Sequence, residues 1–374
     1  MLLILLVWGI AGCGHKRQQQ DFEKLFTDNE QNLKSEIRFA KGFDIYRLNG
    51  ITKVVVYLSG DENRKAVSFY ILNKKKEKHF SGSSNIFSGA PGKAAVFSAT
   101  QLAAFEKLGI QDKVIGVSEA AYIKSPYFRN RLIEKKIFEL AGSGNFYTEK
   151  TMTVHPSVIF YTPYSVNDMH AMEITGIPLV PFFDYMETSP LGRAEWIKFT
   201  AAFFNKQKTA DSIFHTIVTE YDHYKQLADT VKDRPTVFTD KYFNGQWFVA
   251  GGKSYTAAFF TDAGAGYIWK DDTHTASFPL EYEVVYQKAR DADYWRIILS
   301  YGEKPSYRAL AEENELYRHF KAFKKHQVIF CAPEKTAYFE NSPLEPQIVL
   351  ADLIKVFHPE LLPDYQPKYF KLMR

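Results

Sequence analysis

The sequence predicts an α/β protein: two lobes joined by one long helix, with a small N-terminal β extension. Three observations predict it. Short β-branched runs alternate with helical spacings on both sides of the chain's middle, the pattern of parallel sheets covered by helices. Between the two sides, residues 191–233 contain almost no Gly or Pro and keep helical spacing. The length of 374 residues suggests about two domains at roughly 150 residues each.

The chain opens with an apolar run, Leu2 to Ile10, too short to span a bilayer as a helix. It ends Ile10-Ala11-Gly12-Cys13, which resembles a bacterial lipoprotein signal. Small residues let a peptidase approach, and Cys13 would carry the lipid. An ordinary secretory signal, with no role for Cys13, is the alternative. Residues 1–12 are thus read as signal and 13–35 as a tether.

Residues 36–92 are read as a β-rich extension and linker. Phe43 to Tyr46, Val54 to Leu58 and Val67 to Leu72 are separated by Asn49-Gly50 and Gly60-Asp61-Glu62-Asn63, so a small antiparallel sheet is expected. Lys74-Lys75-Lys76 reads as a solvated turn.

Residues 93–190 form the expected N-terminal lobe. Its strands are Ala94 to Phe97, Val114 to Val117, Val158 to Tyr161 and Leu179 to Phe182; its helices are Thr100 to Leu108, Thr148 to Val154 and Asn167 to Thr175. Helices then cover about Leu191 to Phe204 and Thr209 to Val231, with a break at Asn205-Lys206. The second is roughly 35 Å long, enough to join two lobes.

Residues 234–374 restart the alternation. Strands are expected at Val237 to Thr239, Tyr294 to Leu299 and Gln327 to Phe330; helices at Tyr255 to Asp262, Leu280 to Ala289 and Pro346 to Phe357. The halves echo each other, as two Rossmann-like units: Ser98-Ala99-Thr100 and Ser254-Tyr255-Thr256 each open a helix, closed by Leu108-Gly109 and Ala263-Gly264.

Composition narrows the function. Lys plus Arg is 47 and Asp plus Glu is 43, a net charge of +4, too weak a field to argue for nucleic acid. Two cysteines build neither a disulfide scaffold nor a four-cysteine zinc site. Cys331, in an apolar run, reads as core. Aromatics reach 16%, which means a bulky core, a ring-lined cleft, or both.

Several motifs fail. Gly252-Lys253-Ser254 resembles the end of a phosphate loop, but Trp247 stands where the first glycine belongs. Gly264-Ala265-Gly266 begins a dinucleotide fingerprint that Trp269 breaks. No Gly-x-Ser-x-Gly elbow occurs. The ten histidines are scattered; a site built from His155, His170 and a carboxylate of the C-terminal half stays open.

From Ala94 onward the order of segments carries a resemblance. Val96-Phe97-Ser98 to Leu108-Gly109, Lys113 to Val117, His155-Pro156-Ser157-Val158 and Thr175-Gly176-Ile177-Pro178 follow one another in the first half. Gly245 to Ser254, Asp262-Ala263-Gly264 and Ala292-Asp293-Tyr294-Trp295 follow in the second. Over roughly residues 94–360 the chain resembles the helical-backbone class of periplasmic substrate-binding proteins, which serve ABC importers of iron–siderophore complexes, haem and cobalamin. Pro156-Ser157 departs from the family's frequent Pro-Asp.

The resemblance implies a non-enzymatic, monomeric lipoprotein in the periplasm, lipid-anchored to a membrane. It implies capture of a ferric chelate or tetrapyrrole, with no cofactor and no metal of its own, and delivery to a permease in the inner membrane. It places permease-docking acids at Glu149 and Glu283, each at a helix start, with Glu281 as an alternative to the second. A stiff linking helix allows only slight closure of the lobes.

Ligands of open α/β sheets bind beyond the carboxyl ends of the strands. The cleft candidates there are Tyr122, Tyr164, Tyr185, Tyr242, Trp247 and Tyr301, with Trp247 foremost, and Lys241 for an anionic chelate. The rival readings are capture of free zinc or manganese, an enzyme acting on a metal chelate, and a structural envelope lipoprotein.

Overall fold

A computed structural model describes residues 24, 26, 33–58, 65–73, 85–163, 169–300, 302 and 305–374. Cys13, Tyr164, Tyr301 and the Lys74–Lys76 run lie outside the described residues.

The extension is a four-stranded sheet of β1 (Phe43–Leu48), β2 (Ile51–Tyr57), β3 (Ala66–Asn73) and β4 (Ile86–Ser88), in that order. The first three strands pair antiparallel, and β4 joins β3 in parallel. Asn49 and Gly50 take positive φ of 50° and 80°, which closes the first hairpin as the Asn-Gly signal predicts.

The N-terminal lobe contains β5 (Ala94–Phe97), α1 (Ala99–Lys107), β6 (Val114–Ser118), α2 (Pro126–Ile133), β7 (Phe138–Gly142), β8 (Asn145–Phe146), α3 (Thr148–Val154), β9 (Val158–Tyr161) and β10 (Leu179–Pro181). Its sheet order is β10-β9-β5-β6-β7-β8, parallel except for β8. The order reverses at β5, between β9 and β6. This switch point opens a crevice at the strands' carboxyl ends. β5 and β9 are buried on both faces, hence their unbroken apolar runs.

Two helices follow, α4 (Pro190–Phe203) and α5 (Gln207–Asp229). Asn205 at φ 57° makes the break between them. The 23-residue α5 is the linking helix. Near its start Phe214 meets Phe39 in front of the N-terminal lobe. About two turns on, the Tyr221 hydroxyl donates to Asp262 of the C-terminal lobe at 2.7 Å.

The C-terminal lobe contains β11 (Thr236–Thr239), β12 (Tyr242–Phe243), β13 (Gln246–Ala250), α6 (Tyr255–Asp262), β14 (Gly266–Tyr267), β15 (Ser277–Leu280), α7 (Tyr282–Ala289), β16 (Tyr294–Ile298), α8 (Tyr307–Glu313), β17 (Val328–Cys331), α9 (Pro346–Phe357) and β18 (Lys371–Leu372). The main sheet runs β14-β11-β16-β17-β18, and only β18 is antiparallel. β12, β13 and β15 form a separate antiparallel sheet, which the sequence pattern does not announce. The expected helix from Leu280 begins instead at Tyr282, because Leu280 pairs with Trp247 as the last residue of β15.

The extension shares the core of the N-terminal lobe. Phe43 packs on Trp196 and Phe199 of α4 at ring distances of 4.7 and 5.4 Å. The Tyr70 hydroxyl donates to the Leu179 carbonyl of β10 at 2.7 Å. The approach segment is held by two buried carboxylates. Glu195 of α4 accepts the backbone N–H groups of Arg38, Phe39 and Ala40, and Glu187 accepts those of Lys41 and Gly42. Each carboxylate satisfies two or three backbone donors of an irregular segment at once.

Candidate functional site

The lobes meet where the switch-point loop of one sheet faces the segment after β17 of the other. α1 begins two residues after β5, with Ser98 as its N-cap. Opposite it lie two short helices, Pro333–Thr336 and Tyr338–Asn341, parted by Ala337 in the left-handed conformation at φ 51°. Between them is a pocket of about 210 Å³. Ala99, Tyr122 and Lys124 line it from the N-terminal lobe, and Ala337, Phe339 and Glu340 from the C-terminal lobe.

Glu340 ties the two walls together. Its Oε1 accepts the backbone N–H groups of Lys124 at 2.9 Å and Ser125 at 3.2 Å. The side chain is buried, and burial pushes its carboxyl above the ordinary range, against the pull of those two N–H groups. The Ser125 hydroxyl donates to Glu106 of α1 at 2.6 Å, bringing a second carboxylate close.

Behind the pocket runs a buried polar seam. Arg193 of α4 donates to Asp184 at 3.1 Å and stands 4.9 Å over the Tyr255 ring at the start of α6. Burial works against the Arg193 charge, but Tyr255 and Asp184 outweigh it and hold the guanidinium above its ordinary value. In the C-terminal lobe, Arg296 of β16 donates to Asp240 at 2.8 Å. Tyr338 lies between the two arginines electrostatically, and burial pushes its hydroxyl far up. Each arginine is thus already neutralised by its own aspartate.

The expected cleft residues divide. Tyr122 is 51% exposed and lines the pocket. Tyr185 is half-buried in the turn beside Asp184, and burial raises its hydroxyl. Tyr242 is half-buried; its N–H donates to the Tyr317 hydroxyl within the C-terminal lobe. Lys241 is paired with Glu313 at 2.7 Å. Trp247 requires a correction: it is fully buried, its indole N–H donates to the Thr239 carbonyl at 2.8 Å, and it packs against Phe238, Trp295, Tyr317 and Phe320. It is a core residue of the lobe, not a cleft residue. The reason is the pleat of β13, where Trp247 and Val249 face inward and Phe248 faces solvent.

Glu149 and Glu283 are both exposed, in the first turns of α3 and α7. Glu281 is exposed one residue before α7, as its N-cap. His155 and His170 are exposed, and no three His, Cys, Asp or Glu side chains group to hold a metal ion among the described residues. Cys331 is buried, and burial pushes its thiol up to about 12. The failed phosphate loop has a structural use. A Cβ on Gly251 or Gly252 would sit 2.1 Å from the His274 carbonyl oxygen or 2.4 Å from that of Asp272, so the pair lets the segment before β15 cross.

Sequence reasoning missed Glu340, Phe339 and the two arginines. Arg296 left a signal, a charge inside the apolar strand run Tyr294 to Ile298. Glu340 left none, since its partners stand 215 and 216 residues away.

Comparison with known proteins agrees with this architecture. The family model described as periplasmic binding protein matches residues 95–335. The uncharacterized lipoprotein MJ0878 of Methanocaldococcus jannaschii is 28% identical over 402 residues, covering 99% of this chain and 94% of that one. The fold is similar to a periplasmic heme binding protein from Pseudomonas aeruginosa, with a TM-score of 0.59 at 15% identity, over 76% of this chain and 98% of that one. It is also similar to the TroA-like periplasmic binding protein FepB from Veillonella parvula, with a TM-score of 0.57 at 18% identity, over 77% and 96%. An ABC-type Fe3+-hydroxamate transport system protein from Saccharomonospora viridis gives 0.57 at 14% identity, over 73% and 95%. With its two doubly wound lobes, its linking helix and this match over most of its length, the chain belongs to the periplasmic binding protein family.

Proposed function

We propose that the chain is a substrate-binding lipoprotein of an ABC importer, which captures a ferric siderophore, haem or cobalamin outside the cytoplasm and hands it to a membrane permease. The observation that carries this reading is the pocket between the lobes at the carboxyl ends of both sheets, in a molecule whose lobes one 23-residue helix joins. Its exposed walls, Tyr122 and Phe339, suit a ligand with a broad apolar surface. The lipoprotein name of the M. jannaschii relative supports an anchor at Cys13. Binding and release need no chemistry on the ligand, so the protein acts without turnover and without a resident cofactor, as a monomer.

Calorimetric titration of the full-length chain in detergent with ferric siderophores, haem and cobalamin tests this. Heat is a better readout than tryptophan fluorescence, since Trp196, Trp247 and Trp295 are all buried away from the pocket walls. Saturable binding of one class is expected; no response to any of them overturns the reading. Glu149 and Glu283 serve as the permease contacts, offering exposed carboxylates to basic residues. The double reversal Glu149→Arg with Glu283→Arg abolishes uptake in cells while ligand affinity stays within about twofold. Uptake that survives the reversal removes these residues from the docking surface.

A further inference from the structure

Glu340 carries a feature that lobe packing does not explain. The residue is only 4% exposed, and its Oε1 is doubly satisfied by the Lys124 and Ser125 N–H groups. Its Oε2 is equally buried yet has no hydrogen-bond partner among the described residues. In its ionised form this oxygen only accepts, and it then calls for an N–H or O–H group from outside the protein. The same side chain lines the pocket between the lobes.

The charges around it point one way. Glu106 lies close enough to raise the Glu340 carboxyl further. Lys124 also lines the pocket, but it shares that corner with two carboxylates. Arg193 and Arg296 face Asp184 and Asp240, and Lys241 faces Glu313. Among the described residues, no basic cluster is arranged there to receive a polyanion.

We infer that Glu340 is the specificity-determining residue of this pocket, and that it selects a neutral or cationic metal chelate presenting an N–H or O–H donor. A trianionic chelate would bring like charge against a buried carboxylate, which is costly where water cannot screen it. The walls of Tyr122 and Phe339 favour the same ligands, because ring faces attract ammonium groups and apolar skeletons. The pocket of about 210 Å³ is smaller than the roughly 300–1,000 Å³ of ordinary small-molecule sites. Capture therefore also requires the Glu340 contact with residues 124 and 125 to loosen, which makes that contact the point where ligand and lobe closure compete.

This inference rests on the chelate-capture reading and is tested beside it. The probes are a ferric trihydroxamate with a free ammonium group and a trianionic ferric tricatecholate, titrated calorimetrically into the full-length chain. The wild type binds the trihydroxamate at least ~10-fold more tightly, and Glu340→Gln narrows that gap by ~10-fold by removing the charge while keeping the shape. The ranking in the wild type needs no variant, so a folding defect in Glu340→Gln leaves the test intact. Equal or tighter binding of the tricatecholate by the wild type overturns the inference. A gap left unchanged in a folded Glu340→Gln protein overturns it as well. If neither chelate, nor haem, nor cobalamin binds, the capture reading fails and takes this inference with it.

Discussion

The two lobes share a plan but are finished differently. The N-terminal lobe is completed from outside: a four-stranded sheet is laid on α4, and Glu195 and Glu187 pin the five residues that lead into it. The C-terminal lobe is completed from within. Phe238 stacks on Trp295 at 5.5 Å and on Phe320 at 5.0 Å, with Trp247 closing the group. A comparable latch there is Asp352 of α9, which accepts the N–H groups of Lys368, Tyr369 and Phe370 and so fixes the chain's end. The contrast shows two ways to finish a doubly wound sheet. Buried carboxylates recruit irregular backbone, which cannot otherwise be desolvated. Rings fill the volume between the main sheet and the small β12-β13-β15 sheet laid beside it.

The comparison breaks first at the rings. Trp247→Ala should cost about 3–5 kcal/mol, because it empties a packed site and strands the Thr239 carbonyl. Thermal melts check this. A loss under about 1 kcal/mol would mean that the aromatic group does not hold the C-terminal lobe.

The latches come next. Glu195→Ala and Asp352→Ala each leave three backbone donors unpaired and should each cost about 3 kcal/mol. They should differ in place. Hydrogen exchange should rise in residues 38–40 for the first and in residues 368–370 for the second. Exchange spread evenly over both lobes would show that the latches are not local devices.

A pH test separates the latches from surface pairs. Burial raises the Glu187 and Asp352 carboxyls, so the folded protein takes up their protons more readily than the unfolded chain. Each therefore loses stability as pH rises from its unfolded value, near 4, through its folded one. Glu187→Gln removes one such group, so its melting deficit relative to wild type should be largest near pH 4 and shrink toward pH 7. Glu345 has the opposite sign: burial opposes its charge, but Lys368 and Tyr369 hold its carboxyl low, and its contribution is lost as pH falls through that value. A Glu187→Gln deficit that grows with pH would reverse the assignment.

The smallest effect is at Lys241. Its pair with Glu313 reaches the surface, so Lys241→Met should change stability by less than about 1 kcal/mol. A larger loss would mark the pair as part of the lobe's framework.

Much of the fold was legible. The two ends of α5 to within about two residues, the strands β5, β6, β9, β10, β11, β16 and β17 and the hairpin at Asn49-Gly50 follow from spacing and turn chemistry, whereas β7, β8, β14 and the β12-β13-β15 sheet do not. The helix from Tyr255 to Asp262 and that from Pro346 to Phe357 fall where their patterns place them. Cys331 is core, as its apolar run implied. These features are local, and backbone sterics and periodicity settle them within a few residues of sequence.

The site was not local. A strand's alternation fixes that Trp247 and Phe248 face opposite ways, but which face meets a core depends on what covers the sheet, here α7 and the turn around Tyr317. Glu340 meets Lys124 only because two separate sheets bring their carboxyl ends together. The sequence by itself determined two α/β lobes, a long helix between them and an exposed acid at the start of a helix in each. The tertiary structure alone decided which side chains share the pocket, because contacts across hundreds of residues are set by how whole layers pack, and no periodicity records that.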